Sequence, residues 1–311
     1  MVKIAVQNTI PLEEVLQDFL LAKKAAGLAD KTLKTYQQHF SAIGKHLDMA
    51  TPIGEVTREK LDTMIVSMRN ASLAPTSIKS YVRSFKAFLS WCNEEGITRL
   101  TMRPYKASEP IKELYTDEEL LRLLKKPDMK RCGFTEYRSW VIVNLLINSG
   151  CRAATVRNIK IKDVDLPSKI IYLRHTKNGH AQTTPLCAEM VKVLKEYMRV
   201  RGGAEEDYLF CNDVGEPLSE YAMYNSIAAY NKRRGVLKTS IHAFRHTFAR
   251  KYLVDCQGNA FTLQHLLGHS TLEMTKHYCA IFDADISREY DSVSPLAQLQ
   301  GKQKHKIKMH K

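Results

Sequence analysis

Lys169–Leu186, KIIYLRHTKNGHAQTTPL, is the stretch that decides the fold class. Two strand-like runs, Lys169–Thr176 and Ala181–Leu186, flank Lys177–Asn178–Gly179. Asn-Gly tolerates positive φ at both positions, so the pattern predicts a tight β-hairpin. A third strand-like run, Ile159–Asp165 (IKIKDVD), precedes it. Helical patterns lie on both sides. An apolar segment runs up to Ser149–Gly150 and reads as a buried helix, and helices return from about Ala188. The surroundings of the hairpin are therefore an α+β domain, mostly helical, with one small antiparallel sheet.

Towards the N-terminus the period changes to that of helices alone. Leu12, Val15, Leu16, Phe19 and Leu20 share one helical face, with Gly27 beyond its end. Asp30 is placed to cap a second helix bearing Leu33, Tyr36, Phe40, Ile43 and Leu47. Thr57 is placed to cap a third with Leu61 and Ile65. A fourth follows Pro75, with Ile78, Val82, Phe85 and Leu89 inward and Gly96 as its stop. Four amphipathic helices on short links predict an all-α bundle. Lys79, Arg83 and Lys86 form a basic stripe on the fourth helix, away from its apolar face. Such a stripe is either a solvated face or one that follows a phosphate backbone.

Between these halves Arg99–Glu113 has two prolines, little apolar content and no period, which reads as a linker. Thr116-Asp-Glu-Glu119 then opens a new helix with a capping box. The expected division is a helical domain over 1–103, a linker over 104–114, the mixed α+β domain over 115–290, and a C-terminal segment with a basic tail over 291–311. Val293, Leu296 and Leu299 in that last segment are too few to make a core of their own.

The 311 residues are 44% hydrophobic and 26% charged, which excludes disordered and collagen-like classes for most of the chain. Lys and Arg number 47 against 33 Asp and Glu, a net charge of +14 that favours a polyanionic partner such as nucleic acid. The seven cysteines are scattered without a Cys-x-x-Cys pair, as expected of reduced thiols in a cytosolic protein. Residues 1–14, MVKIAVQNTIPLEE, contain no apolar signal core, and the run Trp140–Ile147 is interrupted by Asn144 and is too short to span a bilayer. The expected protein is soluble and cytoplasmic, with no membrane association.

Several polar residues stand where the patterns do not require them. Arg152 follows Gly150–Cys151 at a junction between helices. His242, Arg245 and His246 lie in SIHAFRHTFARKYL, a helix with Ser240 at its cap. His269 follows Gly268 in LQHLLGHS, and Tyr278 ends TLEMTKHY. His242/His246 and His265/His269 have the spacing of a zinc helix, but a metalloprotease helix carries Glu directly after its first His. Here those positions hold Ala243 and Leu266, and no metal is expected.

Taken together and in order, these residues resemble the tyrosine recombinase, or phage integrase, family over nearly the whole chain. Asn148–Val156 (NSGCRAATV) is similar to its first arginine motif, and His242–Ala249 (HAFRHTFA) to its His-x-x-Arg box. LQHLLGHS with Tyr278 nine residues after His269 is similar to its Gly-His box and nucleophile. Lys31–Phe40 and Thr76–Trp91 resemble the helical, SAM-like core-binding domain of that family. The resemblance implies a site-specific DNA recombinase. Tyr278 would attack the scissile phosphate, Arg152 and Arg245 would clamp its oxygens, and His242 and His269 would complete the pocket. Lys177 would protonate the leaving 5′ oxygen, while Lys79, Arg83 and Lys86 would contact DNA. It also implies double-stranded DNA with specific recombination sites as partner, and a homotetramer in the synaptic complex.

This chemistry suits the residue types. The transition state at a phosphodiester gains negative charge, and two guanidiniums offer forked, permanently charged donors. A phenol of pKa about 10 becomes a better nucleophile beside cations and a proton acceptor. A phosphotyrosine conserves bond energy, so rejoining needs no cofactor, neither ATP nor Mg²⁺. Three positions depart from the family pattern: Thr155 where an acidic residue is usual, Phe244 where Leu is frequent, and Ala280 where His is frequent. None removes an assigned catalytic side chain. The chain begins about ten residues before its first bundle helix, so no arm-site domain is expected, and the architecture resembles Xer recombinases and many mobile-element integrases. The alternatives are a type IB topoisomerase-like nick-and-reseal enzyme and an inactive DNA-binding protein of the same fold.

Overall fold

The computed structural model describes residues 9–107, 113–174 and 182–269, with the single positions 271, 294, 296 and 299. The chain separates into two compact units, Met1–Ile111 and Lys112–Lys311.

The first unit is built on four helices: α1 (Leu12–Ala25), α2 (Asp30–Ile43), α3 (Arg58–Asn70) and α4 (Pro75–Glu94). The apolar faces read from the sequence are the buried ones. Phe19 meets Tyr36, Phe88 and Trp91 edge-on, with ring centroids 5.2–5.7 Å apart, and Phe40 packs on Phe85 and Phe88. Edge-to-face aromatic pairs add to simple area burial and fix the mutual tilt of the helices. Thr57 caps α3 by accepting from the Lys60 amide, and Pro75 stands at the first turn of α4. Asp30 differs from expectation. It lies inside the first turn of α2, with Ala29 at the cap and no side-chain cap bond. A carboxylate there still faces the positive end of the helix dipole. The beginning of the proline-bearing stretch is not free chain. Leu100, Met102 and Tyr105 pack on this unit's core, and the Leu100 carbonyl accepts from Asn93 Nδ2.

In the second unit the helices are α5 (Asp117–Leu124), α6 (Phe134–Ser149), α7 (Ala153–Arg157), α8 (Ala188–Arg201), α9 (Glu220–Arg233), α10 (Ile241–Leu253) and α11 (Ala260–Leu267). The central element is α6, buried along most of its length and packed against α8, α9 and α10. Thr116 and Glu119 form the expected capping box at α5. The sheet has order β1-β2-β3, all antiparallel: β1 (Val164–Asp165), β2 (Ile170–Leu173) and β3 (Gln182–Pro185). Its register pairs Leu173 with Gln182. The Asn178–Gly179 turn and Lys177 lie outside the described residues.

Ile159–Asp165 is only partly a strand. Residues Ile161–Asp163 form a 3₁₀ turn ahead of the two-residue β1. The buried Asp163 carboxylate accepts from the Lys160 amide at 2.9 Å and from Arg174 Nε at 2.7 Å. A local side-chain acceptor thus outcompetes the ladder.

Tyr115, at the entry to this unit, is clamped to α10. Its ring stacks on Phe244 at 4.2 Å between centroids, its amide donates to Thr247 Oγ1 at 2.9 Å, and its hydroxyl donates to Ser240 O at 3.1 Å. Ser240 occupies the N-cap of α10, but its side chain makes no cap bond.

Candidate active site

The site grows from three elements, two of them chain reversals. The first is at Gly150, which ends α6 in the left-handed region at φ +60°. A Cβ there would collide with the Phe248 ring, so glycine is required both for conformation and for space. Two residues on, Arg152 is the half-buried N-cap of the short helix α7.

The second element is α10. Its inner face carries Ala243, Phe244 and Arg245, and Arg245 is only 3% exposed. A buried guanidinium must find acceptors for its donors. Arg245 Nη1 donates to Gly150 O and Nη2 to Leu267 O, both at 2.9 Å, and Nη2 also donates to His269 Nε2 at 2.7 Å. One side chain thus joins the ends of α6 and α11.

The third element is the reversal at the end of α11. Gly268 adopts φ +61°, its amide bonds back to His265 O, and the His269 amide reaches Gln264 O at 3.0 Å. This is a Schellman closure, in which a glycine outside the helix turns the chain so that the next residue points back. His269 is that residue. Leu266 O accepts from Gln182 Nε2 at 2.9 Å, and Gln182 also donates to His265 O. The last four carbonyls of α11, those of residues 264–267, are thereby all satisfied.

Arg245 is permanently a donor, so His269 Nε2 accepts and the ring is neutral with its proton on Nδ1. Burial, then the positive charges of Arg245 and Arg152, lower the His269 pKa from 6.5 to about 4. Above pH 6.5 the ring is neutral in both folded and unfolded chains. Between 6.5 and about 4 the unfolded chain takes a proton that the folded one refuses, so this residue disfavours the fold as the pH falls through that window.

His242 lies one turn before His246 on the exposed edge of α10, the two rings edge to face at 4.6 Å. Among the described residues no group of three or more His, Cys, Asp or Glu could hold a metal ion. Arg152, Arg245 and His269 come together here. Lys177 and Tyr278 lie outside the described residues. In the first unit, Arg83 and Lys86 are exposed and Lys79 is half-buried on α4. Thr155, at the position where the family pattern is usually acidic, is buried in α7. Sequence reasoning did not single out Gln182, because its partners lie more than eighty residues away and no local pattern marks it.

The model of the phage integrase family matches residues 113–284, and the chain belongs to that family. Its relatives include the tyrosine recombinase XerA of Saccharolobus solfataricus, 28% identical over 289 residues (88% of this chain and 90% of the relative). XerC of Xanthomonas campestris pv. campestris is 22% identical over 274 residues (86% and 84%). Among solved structures, a lambda integrase dimer bound to a COC′ core site shares the fold at a TM-score of 0.71, with 20% identity and coverage of 99% of this chain and 83% of that one. The Tn1549 transposon integrase in complex with transposon right end DNA gives 0.69 and 20%, covering 88% and 98%. The chain is a site-specific tyrosine recombinase, an enzyme of DNA recombination. Among the described residues no helix is long and apolar enough to cross a membrane.

Proposed function

We propose that Tyr278 attacks the scissile phosphorus, forming a 3′-phosphotyrosyl bond as the phosphorus–5′-oxygen bond breaks and the 5′ oxygen leaves with a proton. Arg152 and Arg245 neutralise the non-bridging oxygens, His242 and His269 complete the pocket, His242 takes up the phenolic proton, and Lys177 supplies the proton to the leaving oxygen. The observation that carries this reading is Arg245 itself: a buried guanidinium aligned by two carbonyls and a neutral imidazole. Such a group is preorganised, so it needs no reorientation as charge develops. Residues 1–103 grip the duplex with Lys79, Arg83 and Lys86, joined through 104–114 to the catalytic domain, 115–290, and the C-terminal segment 291–311. A homotetramer assembled on two specific double-stranded sites, in the cytoplasm, performs exchange for a mobile element or for resolution. The exposure of Leu296 and Leu299, 64% and 67%, supports assembly, since leucines left in solvent have area to bury against a neighbouring copy.

The direct test is a nicked duplex carrying one recombination site, incubated in excess EDTA and then denatured. A covalent protein–DNA adduct is expected, because the charge is met by guanidiniums; a strict metal requirement would refute the reading.

Lys177→Ala should slow cleavage of an ordinary substrate by about 10²-fold or more, the scale of general-acid catalysis. With a 5′-bridging sulfur, which leaves as a thiolate without a proton, the variant should cleave at nearly the wild-type rate. An equal loss on both substrates would make Lys177 a DNA-positioning residue.

A further inference from the structure

Gln182 is the first residue of β3, paired across the sheet with Leu173. Its side chain leaves the sheet and caps α11, giving both amide hydrogens to the carbonyls of His265 and Leu266. It also fills the space beside Gly268, where an added Cβ would collide with Gln182 Oε1. The next carbonyl along, that of Leu267, is capped by Arg245. Gln182 and Arg245 therefore share the capping of one helix end, and His269 sits at the corner they enclose. Gln264 adds a contact from its own helix to the His269 carbonyl at 3.3 Å.

We propose that Gln182 is a positioning residue for recombination, holding the Gly268–His269 corner against β3 so that Arg245 stays aimed at the scissile phosphate. The proposal rests on the reading of Arg245 as a phosphate clamp. The physical argument is one of satisfied donors. Without the amide, two carbonyls at the end of α11 lose a partner, and the last turn relaxes towards water. Leu267 O and His269 Nε2 then move away from Arg245, and a guanidinium with five donors reorients to whatever acceptors remain. In this structure Gln182 bonds to the end of α11. Its effect travels through Arg245.

The test uses the full chain with Gln182→Leu, which keeps bulk beside Gly268 and removes both donors, and Gln182→Ala as a second variant. Single-turnover cleavage of a nicked site should fall about 10- to 100-fold, the range expected for slight misplacement of a catalytic group. DNA affinity should stay near wild type, and cleavage is measured well below the melting range, since a carbonyl left without its donor lowers stability. A scissile methylphosphonate, which lacks one anionic oxygen, then separates positioning from general damage. Because less charge needs neutralising, the loss relative to wild type should shrink to within a few fold, and Arg245→Ala should show the same relief. Wild-type cleavage by Gln182→Leu overturns the proposal. So does an equal loss on both substrates when Arg245→Ala is relieved, since Gln182 would then be structural only. If Arg245→Ala is not relieved, the clamp reading itself fails, and the proposal falls with it.

Discussion

Tyr278→Phe is expected to abolish strand cleavage, by on the order of 10⁴-fold or more, while DNA affinity stays within about twofold. The substitution removes one oxygen and nothing else. In the proposed reaction that oxygen is the attacking atom, whereas binding is spread over many phosphate contacts. Gel shift and adduct formation measured on one nicked substrate decide the matter. An adduct formed by the Phe variant at the wild-type rate would place the nucleophile elsewhere.

The second large effect is expected at Arg245→Lys, a change that keeps the charge. The guanidinium presents forked donors that reach Gly150 O, Leu267 O and His269 Nε2 at once. An ammonium on a single stem cannot serve the ends of α6 and α11 together and also face a phosphate. Cleavage should fall on the order of 10²–10³-fold, the scale of losing a preorganised charge-stabilising donor. Stability should fall too, since each buried carbonyl left unpaired costs about 1–3 kcal/mol. Thermal melting and single-turnover cleavage below the melting range separate the two losses. A variant that melts lower but cleaves normally would make Arg245 purely structural.

Local rules carried much of the fold. Thr57, Thr116 and Pro75 mark helix starts because their chemistry is satisfied within one turn, and Gly150 and Gly268 mark reversals because the left-handed region admits few other residues. The apolar periods of α1, α2 and α4 translate directly into the first core. The small sheet is legible from β2 and β3. The 3₁₀ turn before β1 is not, because it depends on Asp163 meeting Arg174 from the next strand. For the site, the residues were legible as a pattern but the reason for their arrangement was not. Nothing in HAFRHTFA says that Arg245 lies inward with carbonyls from two other helix ends around it. Gln182 is the extreme case. Its sequence neighbours are strand residues, and its partners arrive only with the tertiary fold.

Tyr115 has a consequence for dissecting the molecule. A catalytic fragment begun at Asp117, the first residue of α5, would retain Arg152, His242, Arg245 and His269. It would also lose the ring that covers Phe244 and the amide that serves Thr247. The helix bearing the arginine would then carry a water-filled slot along its back, one aromatic ring deep, beside Phe244. A fragment begun at Glu113 keeps that slot closed. A cut placed at the start of α5 therefore removes Tyr115 and the Thr116 cap together, and falls on the wrong side of both.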